Sequence, residues 1–449
     1  GNGRTISRGY MPEYIFDEVK QHGPSTVIEK PRERAVLVGV ERPNQEWTLG
    51  SSLAELERLA WTAGADMVAK TTQRLESPNP RTFVGSGKAE EIAQLARSYA
   101  ADVVIFDDEL TPSQQSNLEK VVGKDVKVID RTALILDIFA LHASSKEGRL
   151  QVRLAQNQYL YPRLRGMWAH LASNRMGGGV GSRFGEGESQ LEVDRRLIRN
   201  RITSIKRELS NLAKKRDLQR KRRKESGVFK VALAGYTNAG KSSLLNAITG
   251  SEVLSYDKLF ATLDSTTRQL VLPEGKEITL TDTVGFIQKL PTTLVEAFKS
   301  TLDEINGADL ILHVVDASDP QHTRQIDTVN MVLEQIGAHE IGRIEVMNKR
   351  DLLGEAQLEA LSIRFPHAVF TSTKTKEGLD ELIHRISVVS SAQDELLELL
   401  VPFERGEVVS FIHQRCTILS ETYEAEGTHL VVRANKQAAA KLVEFKQNS

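Results

Sequence analysis

The chain has 449 residues, 40% of them hydrophobic, a formal net charge of −1 at pH 7 and one cysteine, Cys416. These values exclude an internal disulfide, and no apolar run approaches the ~18 residues that a membrane-spanning helix needs. We therefore expect roughly two to four ordinary globular domains, no membrane span and a cytoplasmic location.

The N-terminal part predicts a lead-in over residues 1–33 and then an α/β domain over residues 34–147. Strands are predicted at Ala35–Val40, Asp66–Gln73, Val103–Phe106 and Val126–Ile129, and helices at Ser51–Ala63, Ala89–Tyr99, Thr111–Val121 and Thr132–Leu141. Regular alternation of strands and helices indicates a small parallel sheet.

A short glycine motif opens the second of these helices. Gly85, Ser86, Gly87 and Lys88 lack the remaining glycine spacing of a phosphate-binding loop. A tight turn is the favoured interpretation, and a second nucleotide site is the alternative.

Residues 148–226 predict a long antiparallel helical hairpin. The segment Leu150–Ala172 is compatible with a helix, and heptad spacing follows at Leu191, Ile198, Ile202, Ile205, Leu209 and Leu212. The predicted loop between the two helices, Met176–Ser189, contains six glycines. It is either a slack connector or a tip that orders against a partner.

The second hairpin helix is strongly basic. From Arg195 to Lys224 there are 14 Lys and Arg residues against two acidic residues. Such a face can simply be solvated, but an excess of one sign this large favours contact with a nucleic-acid backbone. With few aromatic residues to stack on bases, we expect RNA recognition by charge and shape, through Arg175, Arg183, Arg195, Arg196, Arg199, Lys214 and Lys215.

A P-loop lies at Gly235–Ser242, directly after an apolar strand-like run. Its glycines allow backbone amides to surround phosphate oxygens at the N-terminus of the next helix. Lys241 is then placed against the β- and γ-phosphates, and the Ser242 hydroxyl ligates Mg²⁺. The predicted nucleotide contacts here are Gly235, Tyr236, Thr237, Asn238, Ala239, Gly240, Lys241, Ser242 and Ser243.

Three further signals follow the P-loop in the order of a Ras-like domain, which we assign to residues 227–393. Asp282, Thr283, Val284 and Gly285 follow a strand, where the carboxylate holds Mg²⁺ through water and the glycine amide meets the γ-phosphate. Asn348, Lys349, Arg350 and Asp351 follow another, and Asp351 is predicted to accept hydrogen bonds that guanine can donate and adenine cannot. The third signal is Ser372, Thr373 and Lys374, beside the guanine O6.

The tail, residues 394–449, predicts a small α+β domain. Strands are expected at Leu396–Val401, Thr417–Tyr423 and His429–Ala434, and helices at Arg405–His413 and Gln437–Phe445. It carries no catalytic constellation.

Several motifs resemble the HflX family of ribosome-associated GTPases. They are FVGSGKAEEI, VKVIDRTALILDIFA, GESQLEVDRRLIRNRI, GYTNAGKSS, LFATLDSTTRQ, DTVGFIQKLP, EAFKSTLDE and VMNKRD. The resemblance implies binding of GTP and GDP, with ATP to a lesser degree, and engagement of the large ribosomal subunit and its rRNA. It also implies dissociation of stalled or idle ribosomes, for example after heat stress. The glycine-rich tip would then reach towards the peptidyl-transferase centre, although Ser182–Glu188 departs from the usual family pattern there.

The resemblance also assigns a mobile switch threonine. Thr262, within Phe260, Ala261, Thr262, Leu263 and Asp264, would join Mg²⁺ only when the γ-phosphate is present. Lys241, Thr262 and Gly285 are the predicted catalytic residues. Phe286 and Ile287 stand where Ras-like enzymes place a water-orienting glutamine, so we expect slow intrinsic hydrolysis that ribosomes stimulate. Asn238 resembles K⁺-using GTPases, and a simple turn residue is the alternative.

Three functions remain open from the sequence. The first is a GTP-driven ribosome-splitting factor, the second a large-subunit assembly GTPase, and the third an RNA-binding module whose nucleotide site tunes affinity. Nothing in the sequence indicates an oligomer, and we expect a monomer.

Overall fold

A computed structural model describes residues 31–164, 184–224, 227–250, 259–260, 262–392 and 394–447. The predicted lead-in therefore lies almost entirely outside the described residues. The chain forms two compact units, Gly1–Asn211 with Gln288–Phe298, and Leu212–Ile287 with Lys299–Ser449. Among the described residues no helix has the length and apolar character to cross a membrane. The five predicted segment boundaries stay predictions.

The first unit contains the predicted parallel α/β domain. Its elements are β1 (Glu33–Glu41), α1 (Leu49–Thr62), β2 (Ala65–Arg74), α2 (Ser86–Ser98), β3 (Val103–Phe106), α3 (Pro112–Val122), β4 (Lys127–Asp130) and α4 (Arg131–His142). The strands are all parallel in the order β2-β1-β3-β4. Apolar strand residues such as Val36, Val104 and Phe106 are fully buried beneath the helices, which confirms the predicted alternation.

The turn before α2 is held by contacts within the domain. The Gly85 amide donates to Gln73 Oε1 at 2.9 Å, and Lys88 Nζ pairs with Glu91 Oε2 at 2.6 Å. Because the first amide and the lysine both have partners in the protein, the contacts favour a structural turn over a second phosphate site.

The first unit also contains the region where the two helices of the predicted hairpin pack against each other. Helix α5 (Lys146–Leu160) is followed by a 3-10 turn, Tyr161–Arg163, and α6 (Phe184–Lys224) is a 41-residue helix. Leu160, Leu164 and Ile198 form an apolar cluster between the two helices. Ile198 and Ile205 are buried, as the heptad spacing predicts.

One detail of the hairpin prediction is wrong, and a second is tested only in part. The upstream α-helix ends at Leu160, before a 3-10 turn that contains Pro162, and residues 165–172 lie outside the described part of the chain. The predicted loop extends to Ser189, but α6 begins at Phe184. Glycine in a helix costs about 1 kcal/mol, yet each residue added to an existing helix gains a backbone hydrogen bond, so the long helix continues through Gly185 and Gly187.

The second unit is built on a six-stranded sheet in the order β10-β9-β8-β5-β7-β6, in which β6 alone is antiparallel. Its core contains Val231, Leu233, Leu312, Val314 and Val346. The elements from the P-loop strand onward are β5 (Phe229–Gly235), α7 (Lys241–Thr249), β6 (Thr266–Val271), β7 (Glu277–Asp282), α8 (Thr292–Ala297, part of the first unit), α9 (Lys299–Asn306), β8 (Leu310–Asp316), α10 (His322–Gln335), β9 (Arg343–Asn348), α11 (Glu355–Arg364), β10 (Val369–Phe370) and α12 (Leu379–Ser391).

The C-terminal part of the second unit forms a three-stranded antiparallel sheet in the order β11-β13-β12. Its elements are β11 (Glu395–Val401), α13 (Gly406–Arg415), β12 (Thr417–Glu424), β13 (Gly427–Ala434) and α14 (Lys436–Lys441). The last predicted helix is shorter than expected, because a 3-10 turn at Val443–Phe445 replaces its end. Lys276 Nζ contacts Asp394 Oδ2 at 2.6 Å and joins this part to the six-stranded sheet.

The segment Gln288–Phe298 belongs to the first unit although the residues before it belong to the second. Lys289 Nζ lies 2.7 Å from Asp107 Oδ2 and 3.0 Å from Asp108 Oδ1. Phe298 packs edge-on against Phe139, with ring centroids 5.0 Å apart. The chain therefore passes from one unit to the other three residues after Gly285.

Candidate nucleotide site

The P-loop joins the end of β5 to the start of α7, at the carboxyl edge of the six-stranded sheet. Gly240 has φ +96°, and a Cβ atom there would lie 2.3 Å from Asn348 Nδ2. A Cβ atom at Gly235 would lie 2.3 Å from the Val314 carbonyl oxygen. Both positions therefore require glycine. Asn238 has φ +61°, a left-handed conformation that asparagine tolerates well.

Lys241 is buried at the centre of this loop, with 6% of its surface exposed. Its Nζ donates to the carbonyl oxygens of Gly235 at 3.3 Å and Tyr236 at 3.1 Å. Burial lowers the pKa of Lys241, and the charge of Asp282 opposes that effect. The ammonium group thus lies beside the P-loop backbone, where it is available to anionic oxygens held by the loop amides.

Three oxygen donors converge beside the lysine. Ser242 Oγ lies 2.7 Å from Thr262 Oγ1 and 2.6 Å from Asp282 Oδ2, and Thr262 Oγ1 lies 2.8 Å from the same carboxylate oxygen. Asp282 is 1% exposed, and its Oδ1 has no hydrogen-bond partner among the described residues. Two hydroxyls and a buried carboxylate with one unsatisfied oxygen form the donor set that Mg²⁺ prefers, so these residues fit that ion.

Two loops contact the P-loop at Thr237. The Phe260 amide donates to Thr237 Oγ1 at 2.9 Å, and the Thr237 amide donates to the Phe286 carbonyl oxygen at 2.6 Å. Gly285 packs closely, since a Cβ atom there would lie 2.8 Å from Thr237 Cα and 3.0 Å from Lys241 Nζ.

The remaining residues of these two loops support them. Leu263 and Val284 are buried, Asp264 is half-buried, and the buried Thr283 Oγ1 donates to the Leu233 carbonyl oxygen at 2.7 Å. Ala261 lies outside the described residues.

The predicted base-recognition residues meet the P-loop from the ends of β9 and β10. Asn348 Nδ2 donates to the Ala239 carbonyl oxygen at 3.0 Å, and Thr371 Oγ1 donates to Asn348 Oδ1 at 3.2 Å. Asn348 therefore uses both ends of its amide to tie the two loops together.

Asp351 is held at the outer end of this arrangement. Its Oδ1 accepts a hydrogen bond from Ser372 Oγ at 2.7 Å, and the residue itself is exposed. Ser372 is fully buried, Thr373 is half-buried, and Lys374 is exposed. Arg350 pairs with Glu377 at 3.1 Å. A carboxylate fixed by a hydroxyl and open on its other side can accept the paired donors of a guanine edge.

Asp316 is a further residue at this edge of the sheet, and the motifs of the sequence do not predict it. Lys349 has φ +64° and its Nζ lies 2.7 Å from Asp316 Oδ2. Asp316 ends β8 at the same sheet edge, so a carboxylate directly after a buried strand run was the available signal.

Five of the predicted RNA contacts lie on α6. Arg196, Arg199, Lys214 and Lys215 are exposed, and Arg195 is half-buried. Arg199 Nη2 also donates to the Tyr161 hydroxyl at 2.7 Å. Arg175, Arg183 and the loop before Phe184 lie outside the described part of the chain.

Comparison with known proteins agrees with this arrangement. Sequence profiles described as GTP-binding GTPase N-terminal, GTP-binding GTPase Middle Region and 50S ribosome-binding GTPase match residues 50–140, 142–223 and 230–349. GTPase HflX of Caldanaerobacter subterraneus subsp. tengcongensis is 46% identical over 419 residues, which cover 93% of this chain and 95% of the relative. The chain belongs to the GTPase HflX family.

Other HflX relatives show similar agreement. GTPase HflX of Escherichia coli (strain K12) is 44% identical over 378 residues, covering 84% of this chain and 88% of the relative. Among solved structures, a GTP-binding protein of Sulfolobus solfataricus in complex with GDP is 21% identical, with a TM-score of 0.43, over 80% of this chain and 99% of that one. This member of the HflX family is therefore a GTPase.

Proposed function

We propose that this GTPase binds the large ribosomal subunit through α6 and, in its GTP-bound state, separates stalled or idle ribosomes into subunits. Hydrolysis then releases it. The observation that carries the proposal is the basic composition of α6, which between Arg195 and Lys224 contains 14 Lys and Arg residues and two acidic residues. Ile198 and Ile205 are buried, while Arg196 and Lys215 are exposed and available to phosphates.

The nucleotide site would make ribosome binding depend on which nucleotide is bound. In the proposal the P-loop amides and Lys241 hold the phosphates, and Asp351 and Ser372 select guanine. Ser242 and Thr262 would ligate Mg²⁺ directly and Asp282 through water; when bound, Mg²⁺ neutralises charge on the phosphates. A γ-phosphate would stabilise Thr262 and the Gly285 amide in their bound positions, so their loops would report which nucleotide is present.

Slow intrinsic hydrolysis follows from the residues after Gly285. Phe286 is 1% exposed and Ile287 is fully buried, and neither side chain has a polar atom that could orient water. The large subunit would therefore accelerate the reaction by ordering the two loops or by supplying a group in trans.

A role for K⁺ is a secondary part of the proposal and concerns Asn238. Its left-handed conformation is by itself sufficient reason for asparagine at this position. Equal hydrolysis rates in potassium and sodium buffers would remove K⁺ from the account.

The test combines GTP hydrolysis, with and without purified large subunits, and sedimentation of intact ribosomes in the same samples. We expect strong stimulation, and separation of subunits with a non-hydrolysable GTP analogue. Arg196→Glu with Lys215→Glu should abolish both effects, whereas Arg58→Glu with Lys70→Glu, at exposed residues outside α6, should preserve them.

The other outcomes point to the alternative functions. Stimulation without separation would contradict splitting and favour a role in large-subunit assembly. Absence of any response to large subunits would mean that the basic helix serves another RNA.

A further inference from the structure

Thr237 is the P-loop residue that contacts both nucleotide-sensing loops. Its Oγ1 accepts the Phe260 amide at 2.9 Å, and its own amide donates to the Phe286 carbonyl oxygen at 2.6 Å. All three residues are at least 94% buried, at 6%, 1% and 1% exposure. The Phe286 amide completes the contact by donating to the Gly235 carbonyl oxygen at 3.1 Å.

We propose that Thr237 is a positioning residue for GTP hydrolysis, which sets the places of Thr262 and Gly285 through hydrogen bonds to the residues beside them. Phe260 stands two residues before Thr262, and Phe286 directly follows Gly285. A displacement of either hydrogen bond is therefore passed along one or two peptide units. The inference rests on the roles proposed above for Thr262 and Gly285.

The side chain and the backbone of Thr237 act on different loops. Within Thr237, the hydroxyl is the group that contacts the Phe260 loop, because its Oγ1 is the acceptor of that buried amide. The contact with Phe286 uses the backbone and does not depend on the hydroxyl. Removing the hydroxyl should therefore loosen this loop at Phe260, two residues before Thr262, although Thr262 keeps its contacts with Ser242 and Asp282. Gly285 should stay in place.

The close packing of Gly285 against Thr237 limits which substitutions of Thr237 can test the role of its hydroxyl. A Cβ atom on Gly285 would lie 3.2 Å from Thr237 Cβ, so a larger residue at position 237 would displace both loops. Valine keeps the β-branched shape of threonine and removes the oxygen. Serine keeps the oxygen and removes a methyl group.

Release of one loop should slow chemistry more than it weakens nucleotide binding. Binding depends mainly on the P-loop amides, Lys241 and Asp351, which the hydroxyl does not touch. Losing the acceptor of a buried amide corresponds to about a tenfold change in the population of the correctly placed loop. We expect kcat of Thr237→Val to fall about tenfold, while KM and GDP affinity stay within about twofold.

The experiment compares Thr237→Val, Thr237→Ser and Thr262→Ala in the full chain, by GTP hydrolysis and by GDP binding. Thr237→Ser should retain nearly normal kcat. Thr267→Val is the matched control, because the exposed Thr267 Oγ1 also makes one hydroxyl hydrogen bond, 2.9 Å from Thr281 Oγ1, which joins β6 to β7 and does not involve Thr237. It should behave like the unaltered protein.

Two results would overturn the inference. One is a normal kcat in Thr237→Val when Thr262→Ala is defective, and the other is an equal loss in the valine and serine variants. If Thr262→Ala hydrolyses GTP normally, the proposed role of Thr262 fails instead. Hydrogen exchange of the Phe260 amide in the unaltered protein gives a check that needs no variant: we expect strong protection, and rapid exchange would contradict the hydrogen bond.

Discussion

Replacing Arg131 with methionine should destabilise the first unit by about 3 kcal/mol. The Arg131 side chain is 2% exposed, lies 2.7 Å from Asp107 Oδ1 and also pairs with Glu55. Asp107 is fully buried, and removing one partner of a buried ion pair typically costs ~3–5 kcal/mol. We expect the lower end, because Lys289 remains 2.7 Å from the other Asp107 oxygen.

Native-state hydrogen exchange of the β1 and β3 amides measures this change without requiring two-state unfolding of the whole chain. A loss of about 3 kcal/mol corresponds to roughly 150-fold faster exchange. The control is Lys127→Met, which breaks the Lys127–Glu33 pair of 2.5 Å whose side chains are 50% and 45% exposed. Such surface pairs contribute ~0–1 kcal/mol. Equal effects of the two variants would refute the reasoning.

The same cluster predicts how stability changes with acid. Burial raises the pKa of Asp107, but the charges of Arg131 and Lys289 and the hydrogen bonds from Lys289 and Ser52 outweigh it and hold the pKa below its usual value. A depressed pKa stabilises the fold above the unfolded value of about 4, and this contribution is lost as the pH falls through the folded value. In Arg131→Met, the stability that the first unit loses on acidification should be smaller than in the unaltered protein.

Three further changes test other parts of the account. Asp351→Asn should weaken GTP binding and admit xanthosine triphosphate; competition binding measures this, and an unchanged preference would refute the role of Asp351. Burial raises the pKa of Glu119 to about 7, so its charge penalises folding as the pH rises from about 4.5 to 7. Glu119→Gln should therefore raise stability by up to ~3 kcal/mol at pH 8 and leave it unchanged at pH 4, as thermal melting at the two pH values can show. Asp282→Asn should raise the Mg²⁺ concentration that hydrolysis requires by about tenfold, and an unaltered Mg²⁺ titration would contradict the metal assignment.

Local patterns were sufficient to predict most of the fold. The four parallel strands of the first unit are predicted close to their places because strand-like and helix-like segments alternate along the chain, and β3, a short apolar run, matches its predicted bounds, Val103–Phe106. Of the predicted heptad positions in α6, Ile198 and Ile205 are buried, and Ile202, Leu209 and Leu212 are half-buried. The glycines before Ser189 predict a loop where α6 has already begun. The prediction is wrong because cooperative extension of a helix outweighs the low helix propensity of single glycine residues.

Contacts between distant residues could not be predicted in this way. Lys289 and Asp107 are 182 positions apart, and no periodicity in the sequence relates them. The assignment of Gln288–Phe298 to the first unit depends on such contacts, so it appears only in three dimensions.

Some features of the candidate site could likewise be predicted from the sequence and others could not. The P-loop and the Asn348–Asp351 motif are visible in the sequence because their spacing and their special backbone conformations demand particular residues. The hydrogen bonds of Thr237 to Phe260 and Phe286 join three loops and use mostly backbone groups. Backbone groups carry no residue-type signature, so the sequence gives no indication of these bonds.

The most direct test of the central claim is the affinity of the full chain for purified large ribosomal subunits, measured with GDP and with a non-hydrolysable GTP analogue. We predict binding at least about tenfold tighter with the analogue, because ordered Thr262 and Gly285 loops would favour the docked state. Equal affinity with the two nucleotides would contradict the claim that the nucleotide site controls binding to the ribosome.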